Sequence, residues 1–204
     1  MKIGIINWGS SNLFSITSAI NYIGYDPIIS NNLNILRKSD VLILPGVGSF
    51  KNAMENLVAL NLVNFIQNFS NSSKKVIGIC LGFQLLFDLS SEFGNTNGLG
   101  IVKGKVESLS KIKFYDEKIP NTGWKKTLIN DNNNQSVFFN NFYYVHSFFP
   151  IPDKAEDIWM TSKFGDKIFC SAIRKKNIYG FQFHPEKSGL AGLNLLKKII
   201  ENEI

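Results

Sequence analysis

Hydrophobic and polar positions divide the chain into two textures. In the first half, short apolar runs alternate with segments of helical period. The runs "KIGIIN" (Lys2–Asn7), Pro27–Ile29, "VLILPG" (Val41–Gly46) and Val76–Ile79 are too short for helices and read as buried strands. After the first comes "SNLFSITSAINYIG", where Leu13, Ile16, Ala19, Ile20 and Ile23 recur at helical spacing and Gly24 suits the C-terminal cap. A second helix is expected over residues 53–69, with Met54, Leu57, Val58 and Leu62 on one stripe, and a third from about Gly82 to Glu92. Continuous apolar strands separated by helices imply a parallel sheet covered on both faces.

Past Gly94 the pattern changes. "NTNGLG" reads as a loop, and from Ile101 to Phe183 short β-like runs alternate with turns, among them "IVKGKVESL", "SVFFNNFYYVHSFF", "DIWMTSKF", "KIFCSAIR" and "NIYGFQFH". "NDNNN" (130–134) is expected to be a solvated turn. A last helix is expected over Gly189–Asn202, with Leu190, Leu193, Leu196 and Ile200 on one side. The fold class is therefore α/β: an open, mostly parallel sheet flanked by helices, with an antiparallel β extension. No repeat or long linker divides residues 1–204, so one domain is expected.

Composition narrows the function. The 204 residues carry a net charge of +6, but the lysines are scattered rather than clustered, which argues against nucleic acid. No run approaches the ~18 apolar residues of a membrane span, and the first residues read as a strand, so a cytoplasmic chain without membrane contact is expected. Two cysteines, Cys80 and Cys170, cannot build a disulfide framework or a cysteine-based zinc site, and no metal or cofactor is expected. Glycosylation-type triplets at Asn68, Asn71 and Asn134 carry no weight in so asparagine-rich a chain.

The chemistry concentrates in "VIGICLGFQLLF" (Val76–Phe87). A cysteine between strand and helix lies at the carboxyl edge of the sheet, where ligands collect. Gly78 and Gly82, two residues before and after it, would relieve the crowding of a sharp elbow that lifts Cys80 clear of the sheet. The N-terminus of the following helix would then favour a thiolate, and the Leu81 N–H could face an oxyanion. The same residues also allow a plain buried thiol. In "YGFQFHPEKSG", Phe181 and Phe183 alternate with Gln182 and His184 as in a half-buried strand, and continued alternation puts Glu186 beside His184. Nucleophile, base and orienter follow: Cys80, His184, Glu186. His146 has no acidic neighbour at like spacing and is expected to shape a pocket or interface, and Cys170 to be core. "LPGVGSF" supplies a strand end with Gly46, Val47 and Gly48, whose backbone suits a second oxyanion donor. It lacks the residues of a nucleotide-binding loop.

Together, Gly78-x-Cys80-x-Gly82-x-Gln84, Phe183-His184-Pro185-Glu186 and the Pro-Gly-x-Gly loop resemble the class I, triad-type glutamine amidotransferases over nearly the whole chain. The resemblance implies a flavodoxin-like fold, attack of the cysteine on the side-chain amide of L-glutamine, and release of ammonia to a partner synthase. It also implies that Gln84 and the Val145, His146, Ser147 and Phe148 segment hold glutamine, and that Gly46–Gly48 complete the oxyanion hole. "PGVGSF", "YYVHSF" and "FHPEKSG" look most like the stand-alone glutaminase subunits of imidazole glycerol phosphate synthases. In those enzymes the subunit docks on a (β/α)8 cyclase barrel in histidine biosynthesis, forming a heterodimer. By that likeness Asn7, Asn12, Trp124 and Lys187 would face the partner. Two stretches depart from the family pattern. The usual Asp-Tyr-Gly-x-Gly-Asn turn reads Asn7-Trp8-Gly9-Ser10-Ser11-Asn12, and Pro-His-Met-Gly-Trp-Asn reads Pro120-Asn121-Thr122-Gly123-Trp124-Lys125. Two alternatives therefore stand beside the cyclase reading: a sugar amidotransferase as ammonia acceptor, and a catalytically silent scaffold. A thiol peptidase fits poorly with Gln84 and the Phe-His-Pro-Glu run.

Overall fold

The computed structural model describes residues 1–9, 13–112, 117–130 and 136–203, with backbone only at 136–138. The strands are β1 (Ile3–Ile6), β2 (Pro27–Ser30), β3 (Val41–Leu44), β4 (Lys75–Ile79), β5 (Leu89–Ser90), β6 (Thr96–Asn97), β7 (Gly104–Ser108), β8 (Asn121–Asn130), β9 (Ser136–His146), β10 (Phe148–Pro152), β11 (Ile158–Phe164), β12 (Lys167–Lys175) and β13 (Ile178–Phe181). The α-helices are α1 (Leu13–Tyr22), α2 (Leu33–Leu36), α3 (Phe50–Ala59), α4 (Leu62–Ser70), α5 (Leu81–Gln84) and α6 (Gly189–Ile200).

One sheet of nine strands runs β2-β1-β3-β4-β13-β12-β11-β8-β9. Its first five strands are mutually parallel and the rest add antiparallel, which is the expected α/β fold with a β extension in the form of a mixed sheet. A four-stranded sheet, β10-β7-β5-β6, lies beside it. Alternation along the parallel strands feeds two cores. Val41 and Ile43 point to one face, where Ile16 and Ile20 of α1 and Leu196 and Ile199 of α6 pack. Leu42 and Leu44 point to the other, against Phe50, Leu57 and Leu62 of α3 and α4.

Several expected elements changed form. The helix expected over 53–69 is two helices, because Asn61 takes a left-handed conformation (φ 56°) between them. The helix expected to reach Glu92 ends at Gln84. The carbonyls of Leu85, Leu86 and Phe87, which would continue it, instead accept hydrogen bonds from the N–H groups of Leu99, Ile101 and Gly100 on a crossing segment. The loop expected at "NTNGLG" contributes β6 and that same segment. α2 was not foreseen, and Asn32 caps it through Asn34 N–H. In α6 the buried stripe is Leu195, Leu196, Ile199 and Ile200, leaving Leu190 exposed, as Val58 is in α3. The expected turn at 131–134 lies outside the described residues. No described helix is long and apolar enough to cross a membrane.

Candidate active site

The elbow begins where β4 meets α5. Cys80 adopts φ 52° and ψ −108°, a backbone that L-residues rarely occupy and that costs ~1–3 kcal/mol. Its own N–H donates to Phe181 O (2.7 Å) and its carbonyl accepts from Phe83 and Gln84 N–H, so the turn is held from both sides. The flanking glycines are required by contact. A Cβ on Gly78 would lie 2.7 Å from Gly82 O, and one on Gly82 would lie 1.9 Å from Leu44 O. Gly46 belongs to the same close packing, since its Cβ would meet Gly82 N at 2.4 Å. Gly46 therefore lets the β3 turn approach the elbow, while Val47 and Gly48 reach the cavity beyond it.

That cavity, about 290 Å³, is lined by Val47, Gly48, Cys80, Leu81, Gln84, Glu92, Pro120, Val145, His146, Ser147, Phe148 and His184. It brings together most of the residues singled out from the sequence. A larger cavity of about 540 Å³, lined by Gln67, Asn177 and neighbours, holds no cysteine or histidine. Among the described residues no acceptor takes the backbone N–H of Val47, Gly48 or Leu81.

His184 follows β13 and is 2% exposed. The sequence reading of a half-buried strand is corrected here: Phe181, Gln182, Phe183 and His184 are all buried, because strands flank β13 on both sides and Phe142 stacks on Phe183. Glu186 does reach His184, by a different route from strand alternation. A 3-10 turn over Pro185–Lys187 folds the carboxylate back, and Glu186 Oε1 accepts from His184 Nδ1 at 2.7 Å. That bond leaves Nε2 buried and without a hydrogen-bond partner, on a ring that shares the cavity wall with Cys80. Burial disfavours charging the ring, but the neighbouring Cys80 and Glu186 outweigh it and raise its pKa to about 10.

His146 is buried differently. Its Nδ1–H donates to Phe148 O (2.9 Å), and its Nε2 accepts from Asn121 Nδ2 (2.9 Å). Loss of hydration pushes its pKa down to about 4, so it stays neutral and works as a wall of the cavity, as expected. Cys170 is core: its thiol donates to Ala172 O at 3.6 Å, and burial pushes its pKa far up.

Two residues escaped the sequence reading. Gln182, fully buried, touches both Gln84 and the Cys80 sulfur. Glu92 lines the cavity, accepts the Phe50 N–H at 2.6 Å, and has its pKa raised by partial burial. The glutamine beside Phe-His-Pro-Glu was a visible signal for the first. Glu92 was hidden by the helix expected to end on it.

Of the residues expected to face a partner, Trp124 is 57% exposed, stands edge-on to Tyr143 and lies 4.0 Å from the Cβ position of Gly189. Lys187 is exposed, Asn7 Oδ1 accepts from Gly9 N–H, and Asn12 lies outside the described residues.

Comparison with known proteins places this geometry. Residues 4–201 match the family model of class-I glutamine amidotransferases. The chain is 38% identical over 204 residues to the imidazole glycerol phosphate synthase subunit HisH of Prochlorococcus marinus, covering 98% of each. It is 39% identical over 203 residues to the subunit HisH of Chlorobaculum tepidum, covering 97% of this chain and 98% of that one. Among solved structures, a glutamine amidotransferase superposes with a TM-score of 0.73 at 14% identity, covering 98% of both chains. PurLQS from Thermotoga maritima gives 0.73 at 16%, covering 100% of this chain and 99% of that one. The solved structures share the fold, and the sequence matches extend over the elbow, the His184 turn and the strands that carry them: the chain belongs to the class-I glutamine amidotransferases.

Proposed function

We propose that the chain is the glutaminase subunit of an imidazole glycerol phosphate synthase, acting in the cytoplasm as a heterodimer with a (β/α)8 cyclase subunit. It hydrolyses L-glutamine to glutamate and ammonia and hands the ammonia on. The observation that carries the chemistry is Cys80 on its strained elbow beside a His184 ring already oriented by Glu186. The cavity sits near the lower bound of ~300 Å³ for small-molecule sites, which suits a free amino acid better than a peptide or nucleotide.

The steps follow from the groups present. With its proton already held on His184 Nε2, Cys80 Sγ attacks the side-chain carbonyl carbon of glutamine. The oxyanion meets the N–H groups of Leu81 and of the Val47–Gly48 turn. The C–N bond then breaks, His184 returns the proton to nitrogen, and ammonia leaves a glutamyl thioester. Water, giving a proton to His184, attacks the thioester, and glutamate departs with the sulfur freed. Glu92, with Gln84 Oε1, offers negative charge and an acceptor to the substrate ammonium; both N–H groups of the Gln84 amide are occupied, by Phe148 O (2.9 Å) and Gln182 Oε1 (3.1 Å). No metal or cofactor enters these steps.

Free ammonia is mostly protonated in water and then no longer nucleophilic, so transfer calls for a partner seated over the mouth of the site. Exposed apolar side chains at that end of the sheet support this: Phe14, Trp124, Val145 and Leu190. The test is glutamate release in the presence of the cyclase subunit. Cys80→Ala should abolish it while added ammonia still sustains the cyclase reaction, and retained release in that variant would refute the reading. A chain that hydrolyses glutamine yet neither binds nor serves the cyclase would instead point to a sugar-modifying acceptor.

A further inference from the structure

Among the described residues, Gln182 is the one fully buried polar side chain in contact with the nucleophile that the steps above leave without a task. The orientation of its amide is dictated by neighbours. Phe148 O can only accept, so the Gln84 group facing it is the NH2, and the same nitrogen faces Gln182. Gln182 must therefore present its Oε1 to Gln84, at 3.1 Å, which turns its own NH2 toward Cys80 Sγ, at 3.8 Å. His146 Nδ1–H, on the same Phe148 carbonyl, anchors the far end of this chain. The other close backbone group, Val145 O, also 3.8 Å from the sulfur, can only accept and so interacts with the thiol but not with the anion.

We propose that Gln182 is a further catalytic residue: its Nε2–H donates to the Cys80 sulfur and supports the negative charge carried there while the proton is held by His184. Gln84 acts through it as a positioning residue, because its NH2 fixes which end of the Gln182 amide meets the sulfur. The identity of residue 182 then has a reason beyond filling space. An isosteric apolar side chain would fill the same volume and leave the sulfur facing only Val145 O and the His184 ring. The titratable groups around the sulfur are His184 with Glu186 behind it, neutral His146 from β9, and Glu92 from the β5–β6 connection.

The consequence for turnover rests on the glutaminase reading, while the bond itself does not, so the test has separate arms. In Gln182→Met, alkylation of Cys80 by iodoacetamide, which requires no glutamine, should slow roughly tenfold, the weight of one hydrogen bond to a charged group. With the cyclase subunit present, kcat should fall by a similar factor while the KM for glutamine stays within about twofold, the mark of an interaction with the nucleophile rather than with bound glutamine. An unchanged alkylation rate in Gln182→Met overturns the proposal. Should that variant fail to fold, side-chain amide exchange decides: protection of the Gln182 NH2 should be lost in Cys80→Ala and that of Gln84 retained, and equal Gln182 exchange in both proteins overturns it. Failure of the unsubstituted chain to release glutamate would count against the glutaminase reading alone and leave the alkylation and exchange arms standing.

Discussion

His184 shows how one side chain combines opposing forces. Burial removes hydration and disfavours the imidazolium, yet Cys80 and Glu186 together raise its pKa to about 10. A folded-state value above the ~6.5 of an unfolded histidine has a definite sign. The stabilisation is complete below about pH 6.5 and is lost as the pH climbs through the folded value. Replacing Glu186 by Gln removes one of the two raising influences, so the His184 ring should titrate at lower pH. Chemical-shift titration of the two ring protons would measure it, and an unmoved midpoint would show that Glu186 only packs against the ring. His146 serves as an internal control, since it lies in the same cavity wall with a depressed pKa and no carboxylate partner among its hydrogen bonds.

At the scale of elements, the elbow depends on backbones that nearly touch. α5 packs so closely on the end of β3 that Gly82 has no room for a methyl group: its Cβ would stand 1.9 Å from Leu44 O, a backbone atom that cannot rotate away. Gly82→Ala should therefore cost at least ~3 kcal/mol, the upper range of overpacking, read from the denaturant midpoint at constant slope. A cost below ~1 kcal/mol would mean that the β3 turn and α5 separate easily. The glycine spacing around Cys80 made this element legible in advance. The length of α5 was not legible, because nothing local to Leu85–Phe87 marks those carbonyls for capture by the Leu99–Ile101 segment. The break at Asn61 left a fainter trace, an asparagine between two apolar helical stripes. The pairing of His184 with Glu186 was read correctly from sequence for an incomplete reason, since a 3-10 turn rather than an extended strand closes it.

For the whole molecule, the parallel strands bring their carboxyl ends to one edge, and the groups of the site gather there from β3, β4, β9 and β13. In the Val47–Gly48 turn of this assembly, Gly48 has open space around it. Gly48 is exposed at φ 113°, and a Cβ there would meet no atom within 4 Å. A partner resting on this edge can set the turn, so glutamate release should be slow for the isolated subunit and rise when a liganded cyclase is added. Loss of one oxyanion donor is worth roughly 100- to 1000-fold in rate, which sets the scale of stimulation to look for. Equal turnover with and without the partner would show that the turn is already set in the free chain.

What the amino-acid sequence determined by itself was what short-range pattern carries: the alternation of strand and helix, the elbow between two glycines, and Cys80, His184 and Glu186 as the side chains proposed for nucleophile, base and orienter. These rest on steric and periodic rules that act within a few residues. The tertiary structure alone decided which atoms meet across the sheet. Gln182 reaches a sulfur 102 residues away, Glu92 reaches the cavity through a helix that stops early, and Asn121 reaches His146 across a strand ladder. Such contacts depend on strand order, and strand order is set by packing of the entire chain, which no local window of residues contains.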